Sequence, residues 1–127
     1  MPKHKRAEDA LKMLEYTIKL IYSLEPKYIF IENPCGAMRK QDIMQQFNIN
    51  RVTYCQYGDT RMKPTDIFTN TDIMLKPACH KGDSCHESAP RGSHTSGTQA
   101  LPLLDRSKVP PQLCEDIIKY CEEKEHL

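Results

Sequence analysis

The sequence predicts an α/β fold. A helical period of apolar residues over 6–24 runs into a short, unbroken apolar stretch at 28–31, the pattern of a helix followed by a buried strand. Two further strand-like stretches, 51–56 and 66–70, and an amphipathic stretch over 112–124 continue the mixture. All of this fits one domain spanning 1–127.

The first helix is expected because Ala7, Leu11, Leu14, Ile18 and Ile21 recur at three- and four-residue steps. Glu25-Pro26 should end it, since a residue before proline is pushed out of the helical region. Tyr28-Ile29-Phe30-Ile31 is continuously apolar, as in a strand covered on both faces within a parallel sheet. Glu32-Asn33-Pro34-Cys35-Gly36 is a turn, and 38–47 reads as a second, shorter helix. The stretches 51–56 and 66–70 flank the polar connection 57–65, which suggests an antiparallel pair with a long basic loop. Regularity fades over 71–108, where Pro, Gly, Ser, Thr, Cys and His dominate. A structureless stretch of that length is usually functional or held by a metal. Val109-Pro110-Pro111 then leads into the last helix, with Leu113, Ile117, Tyr120 and Cys121 as its apolar stripe.

Composition narrows the functional classes. Hydrophobic residues make up 39% of the 127, below the usual share of about 45–50%, so the core is expected to be thin or completed by something else. A net charge of +1 gives no global attraction to nucleic acid, and any DNA contact must rest on local clusters. The basic start Lys3, His4, Lys5 and Arg6 reads as a solvated terminus. No secretory signal and no apolar run of about 18 residues occurs, so we expect no membrane partner and a cytoplasmic location. The six cysteines should then be reduced or bound to metal.

Cys79-His80 and Cys85-His86 fall in the irregular stretch, with Cys55 on a predicted strand and His94 downstream. Zinc takes four nitrogen or sulfur ligands in a tetrahedron, and an irregular loop gains most from such a staple. Cys79, Cys85 and His86 are the best three candidates, with Cys55 or His80 as the fourth. The bland alternative is a set of reduced thiols in a loop. Arg91, Ser93 and Thr98 lie in a donor-rich, flexible-backbone segment suited to phosphate contacts or to a plain solvated linker.

Three segments in order resemble motifs of the DNA cytosine-5 methyltransferases. Glu32-Asn33-Pro34 at a strand end is similar to that family's Glu-Asn-Val, with proline in place of valine. Arg61-Met62-Lys63, between two strands, is similar to its Gln-x-Arg-x-Arg, with lysine for the second arginine and Gln56 further upstream. Val109-Pro110-Pro111 before a helix resembles its last motif, with Ser107-Lys108 in place of Gly-Asn. The longer string of ENP-x-G-x-x-RK, TYCQYG, KPTDI-x-TN, C-x5-CH, PRGS and GTQ, running from Glu32 to Gln99, resembles a phage and bacterial branch of these enzymes.

The resemblance implies the later strands and helices of a Rossmann-like methyltransferase sheet, with a long irregular loop. Glu32 would hold a flipped-out cytosine, with Arg61 and Lys63 positioning it. Asn33, Arg91, Ser93 and Thr98 would contact substrate or DNA. The family's glycine-rich loop for S-adenosylmethionine does not occur in these residues. Nor does its nucleophilic Pro-Cys motif, because Pro34-Cys35 follows Glu32-Asn33 on the base-binding strand. S-adenosylmethionine is therefore expected only where a complementing methyltransferase half, or a second copy of the chain, supplies its site. Two readings from other classes stand beside this one: a non-catalytic DNA- or protein-binding module, and a zinc-stapled interaction protein.

Overall fold

The computed structural model describes residues 2–87, 104 and 107–126. The regular elements that frame the site are, in chain order, α1 (Pro2–Ser23), β1 (Phe30–Pro34), β2 (Asn48–Thr53), β3 (Pro64–Thr69) and α2 (Pro111–Glu125). The strands form one sheet in the order β1-β3-β2. β3 is antiparallel to both neighbours, with Glu32 opposite Ile67 on one side and Val52 opposite Thr65 on the other. β1 and β2 therefore run parallel to each other with β3 between them.

Side chains alternate across a strand, so each strand serves two faces. On one face Leu14 and Ile18 of α1 pack with Ile29, Met44, Phe47 and Phe68. On the other, Leu113 of α2 packs with Val52, Tyr54, Tyr57 and Ile67. Helix, sheet and helix form three layers, the arrangement expected when both sheet faces are apolar.

The mixed α/β class is as the sequence led us to expect, and so is the antiparallel pairing of the two later strands. The stretch 28–31 behaves differently from the parallel strand expected of it. Regular pairing starts at Phe30, and the neighbour of β1 is antiparallel. Its apolar run is still used on both sides, Ile31 packing against the α1 cluster and Phe30 against the α2 cluster. As an edge strand it tolerates Pro34, whose missing N–H would disrupt a central position. The expected helix over 38–47 is two 3-10 turns, Ala37–Lys40 and Asp42–Met44. Gln41, extended at φ −74° and ψ 136°, divides them.

α1 ends as its sequence dictates. Glu25 adopts a left-handed φ of 50°, with Pro26 next to forbid another turn. No helix among the described residues is long and apolar enough to cross a membrane.

The link from β2 to β3 starts with a 3-10 turn, Tyr54–Tyr57, capped by Gly58 at φ 92°. A Cβ on Gly58 would stand 2.6 Å from Nε2 of Gln112, at the start of α2. Glycine here supplies both the left-handed backbone and the close approach of α2. We expect Gly58→Ala to cost about 1 kcal/mol, chiefly from the backbone because the Gln112 side chain can move aside. Urea unfolding would read this directly, and an unchanged midpoint would contradict it.

Candidate metal centre and base-binding face

The end of β2 and the irregular stretch after β3 meet at a cluster of three thiols and an imidazole. Cys55 is buried in the 3-10 turn after β2, while Cys79, Cys85 and His86 come from a segment without helix or strand. Cys55 Sγ lies 3.3 Å from Cys79 Sγ and 3.4 Å from Cys85 Sγ. His86 Nδ1 is 3.5 Å from Cys79 Sγ and 3.4 Å from Cys85 Sγ. All four atoms lie within 4.8 Å of one another, and the group could hold a metal ion. With zinc–sulfur bonds of about 2.3 Å, two sulfurs on a tetrahedral ion stand about 3.8 Å apart, so closing round an ion needs only small shifts.

The sequence left the fourth ligand open between Cys55 and His80. The structure brings Cys55 into the group. His80 is 92% exposed in its side chain and turns toward Asp83 instead.

The supports around the cluster are specific. Thr53 Oγ1 accepts from the Cys79 amide at 3.0 Å, and Gln56 Nε2 donates to Cys85 Sγ at 3.4 Å. Further contacts tie the same segment down: the Lys76 amide donates to Tyr57 Oη at 2.8 Å, and the Glu87 amide to the Thr60 carbonyl at 2.8 Å.

Three thiols this close cannot all ionise without a cation. Desolvation, then hydrogen bonds and like charge from Cys55 and Cys79, push the Cys85 thiol up to about 12. For Cys79 desolvation is opposed by hydrogen bonds from Thr53, Cys55 and Cys85, and the net direction is down. A metal must displace the protons the thiols keep, so its affinity falls as pH falls. We expect an apparent loss of about tenfold per pH unit below neutrality for each thiol proton released, measured by competition with a chelator. A pH-independent affinity would exclude thiolate ligation.

Tyr54, the residue before Cys55, is fully buried and organises a second group. Its hydroxyl donates to Glu32 Oε1 at 3.2 Å. Above its ring lie Lys63 Nζ, 5.2 Å from the centroid, and the Arg61 guanidinium at 5.9 Å. Burial first, and the charge of Glu32 next, hold the phenol well above its usual range, so it remains a donor.

Arg61, only 7% exposed, is fixed by Asp59 through its own amide at 2.8 Å, Nε at 3.0 Å and Nη2 at 2.6 Å. The hydrogen bonds from Arg61 lower the Asp59 carboxyl despite its partial burial. Glu32, distant in sequence from Arg61 and Lys63, thus converges with them on one tyrosine.

Comparison with protein-family models, curated proteins and solved structures finds no match to this chain.

The remaining expected site residues fall elsewhere. Asn33 alternates to the face opposite Glu32, and its amide donates to the Pro34 carbonyl at 2.9 Å. Arg91, Ser93, Thr98 and His94 lie outside the described residues. Cys35 does not join the Glu32 group. It packs on the other face, its thiol donating to Asp66 and accepting from Arg39 and Arg51. Sequence reasoning missed Tyr54 and Asp59. The available signals were an aromatic residue immediately before a candidate ligand cysteine and an acid two residues before an arginine.

Proposed function

We propose that this chain is the zinc-stapled, target-cytosine-binding part of a DNA cytosine-5 methyltransferase-like protein, in the later strands and helices of a Rossmann-like sheet. The observation that carries the reading is the convergence of Glu32, Arg61 and Lys63 on Tyr54. Glu32 stands exposed at the centre of β1, an edge strand, on the same face as Ile67. A carboxyl there complements the exocyclic amine and ring nitrogen of a cytosine turned out of the helix. Tyr54 holds one carboxylate oxygen still, Lys63 places positive charge above the same ring to attract the nucleotide, and Arg61, buried and paired with Asp59, braces the loop that carries Lys63.

S-adenosylmethionine would supply the methyl group, its site and the attacking thiol coming from a complementing half. The four-ligand set is the closed, structural kind, with zinc the ion that three thiolates and an imidazole favour.

The reading is tested on full-length, zinc-loaded protein with a duplex carrying an unpaired cytosine opposite an abasic site. Binding is measured by fluorescence anisotropy at one fixed salt concentration. We expect the cytosine duplex to bind at least about tenfold more tightly than its thymine counterpart, and Glu32→Ala to erase that preference. Equal binding of both duplexes by the wild-type chain would overturn it.

The closed tetrad also favours a second reading, a zinc-stapled interaction module without base recognition. That module would bind zinc and show no cytosine preference.

A further inference from the structure

We propose that the metal centre sets the position of Tyr54, and through it the geometry of Glu32, Arg61 and Lys63, so that Tyr54 is a positioning residue under metal control. The consequence for cytosine rests on the base-binding reading; the coupling itself does not.

The coupling runs through a single turn of 3-10 helix, Tyr54–Tyr57. Successive side chains on such a turn point about 120° apart, so neighbours serve different sides. Tyr54 reaches Glu32, while Cys55 reaches the thiols of Cys79 and Cys85. The rest of the turn is also bound to the metal-bearing segment, Gln56 through Cys85 and Tyr57 through the Lys76 amide. Thr53 and Thr60, on either side of it, hold Cys79 and Glu87.

On its other side the turn grips the loop that carries the cations. The Tyr54 amide donates to the Met62 carbonyl at 2.7 Å, and the Asp59 amide donates to the Tyr54 carbonyl at 3.2 Å. Asp59 in turn fixes Arg61. A metal closing on Cys55, Cys79, Cys85 and His86 therefore clamps the backbone from which Tyr54 projects. Loss of the metal releases the segment that holds the side chains of Thr53, Gln56 and Tyr57 and the carbonyl of Thr60 from outside. Glu32 lies on β1, which the metal does not touch, so it stays in place and loses its partner.

The experiment compares amide hydrogen exchange by NMR in the zinc-loaded full chain and in the same chain stripped with a chelator under reducing conditions. We expect the Tyr54 and Asp59 amides to exchange at least about tenfold faster without metal, while Ile67 and Phe68 of β3 change less than about twofold. Unchanged exchange at Tyr54 and Asp59 would overturn the proposal.

Should stripping release the β3 amides as well, a Cys85→Ser variant, altered at the exposed ligand, is titrated with zinc. Protection at Tyr54 must then rise with zinc occupancy, and protection indifferent to zinc overturns the coupling. Cytosine preference measured in parallel separates the two ideas. Coupling without preference removes the base-binding reading alone, and preference without coupling removes this proposal alone. Tyr54→Phe should keep zinc affinity within about twofold and still lower the cytosine preference, which a purely structural tyrosine would not do.

Discussion

Removing zinc from the loaded chain is expected to unfold residues 75–87 away from the sheet. The segment contains no helix or strand and is tied by the packing of Leu75 against the α2 cluster and by a few hydrogen bonds, with Asn50, Thr53, Gln56, Tyr57 and Thr60. At about 1 kcal/mol each, these cannot offset about 1–2 kcal/mol per residue of backbone entropy over roughly a dozen residues. A structural zinc site contributes about 10–16 kcal/mol and closes that gap. Cys79→Ser should act in the same direction, because Cys79 touches both Cys55 and His86. Limited proteolysis reads the outcome, with cleavage between 75 and 87 appearing only after chelation or in the variant. Equal resistance with and without metal would mean that the segment is held by something other than the ion.

The second large effect lies on the opposite face of the sheet. Asp66 is a carboxylate with no exposed surface in the middle of the central strand. Arg39 grips it with two nitrogens, Nε at 2.9 Å from Oδ2 and Nη2 against Oδ1, and the Cys35 thiol adds a third contact at 3.3 Å. Removing one partner of a buried pair leaves the other charge desolvated without its counter-ion, at about 3–5 kcal/mol. Arg39 is partly exposed, so we expect Arg39→Met to cost about 2–4 kcal/mol in urea unfolding. Adding Asp66→Asn to that variant should recover part of the loss, because no buried charge then remains. A change below about 0.5 kcal/mol, or no recovery, would show that Asp66 is compensated by other groups.

What the sequence could show follows from how local each signal is. The helical period of Leu14, Ile18 and Ile21 and the proline at Pro26 are local, and α1 ends where they place it. The stripe of Leu113 and Ile117 and the prolines before it mark α2 in the same way. Strand order is not local. A continuous apolar run at 28–31 means only that both faces are covered. An edge strand beneath two helices meets that condition as well as the middle of a parallel sheet does.

The helix expected over 38–47 failed for a different reason. Met38, Ile43 and Met44 do bury toward the α1 cluster, but from two tight turns with an extended residue between them, and Phe47 joins them from the bend before β2. Apolar spacing records which residues are buried, not the backbone that delivers them.

Three of the four residues of the candidate metal cluster were legible because thiols and imidazoles gathered in an irregular stretch have few other uses. The choice of Cys55 over His80 needed three dimensions. Tyr54 was hidden for the same reason: its role depends on Glu32 more than twenty positions earlier and on Lys63 beyond the next turn.

Zinc K-edge X-ray absorption on protein purified without added metal probes the centre on which the rest of the site hangs. The predicted spectrum is one equivalent of zinc with three sulfurs at about 2.3 Å and one nitrogen at about 2.0–2.1 Å. Less than about a tenth of an equivalent, or a first shell of oxygen and nitrogen alone, would contradict the assignment of Cys55, Cys79, Cys85 and His86 as ligands.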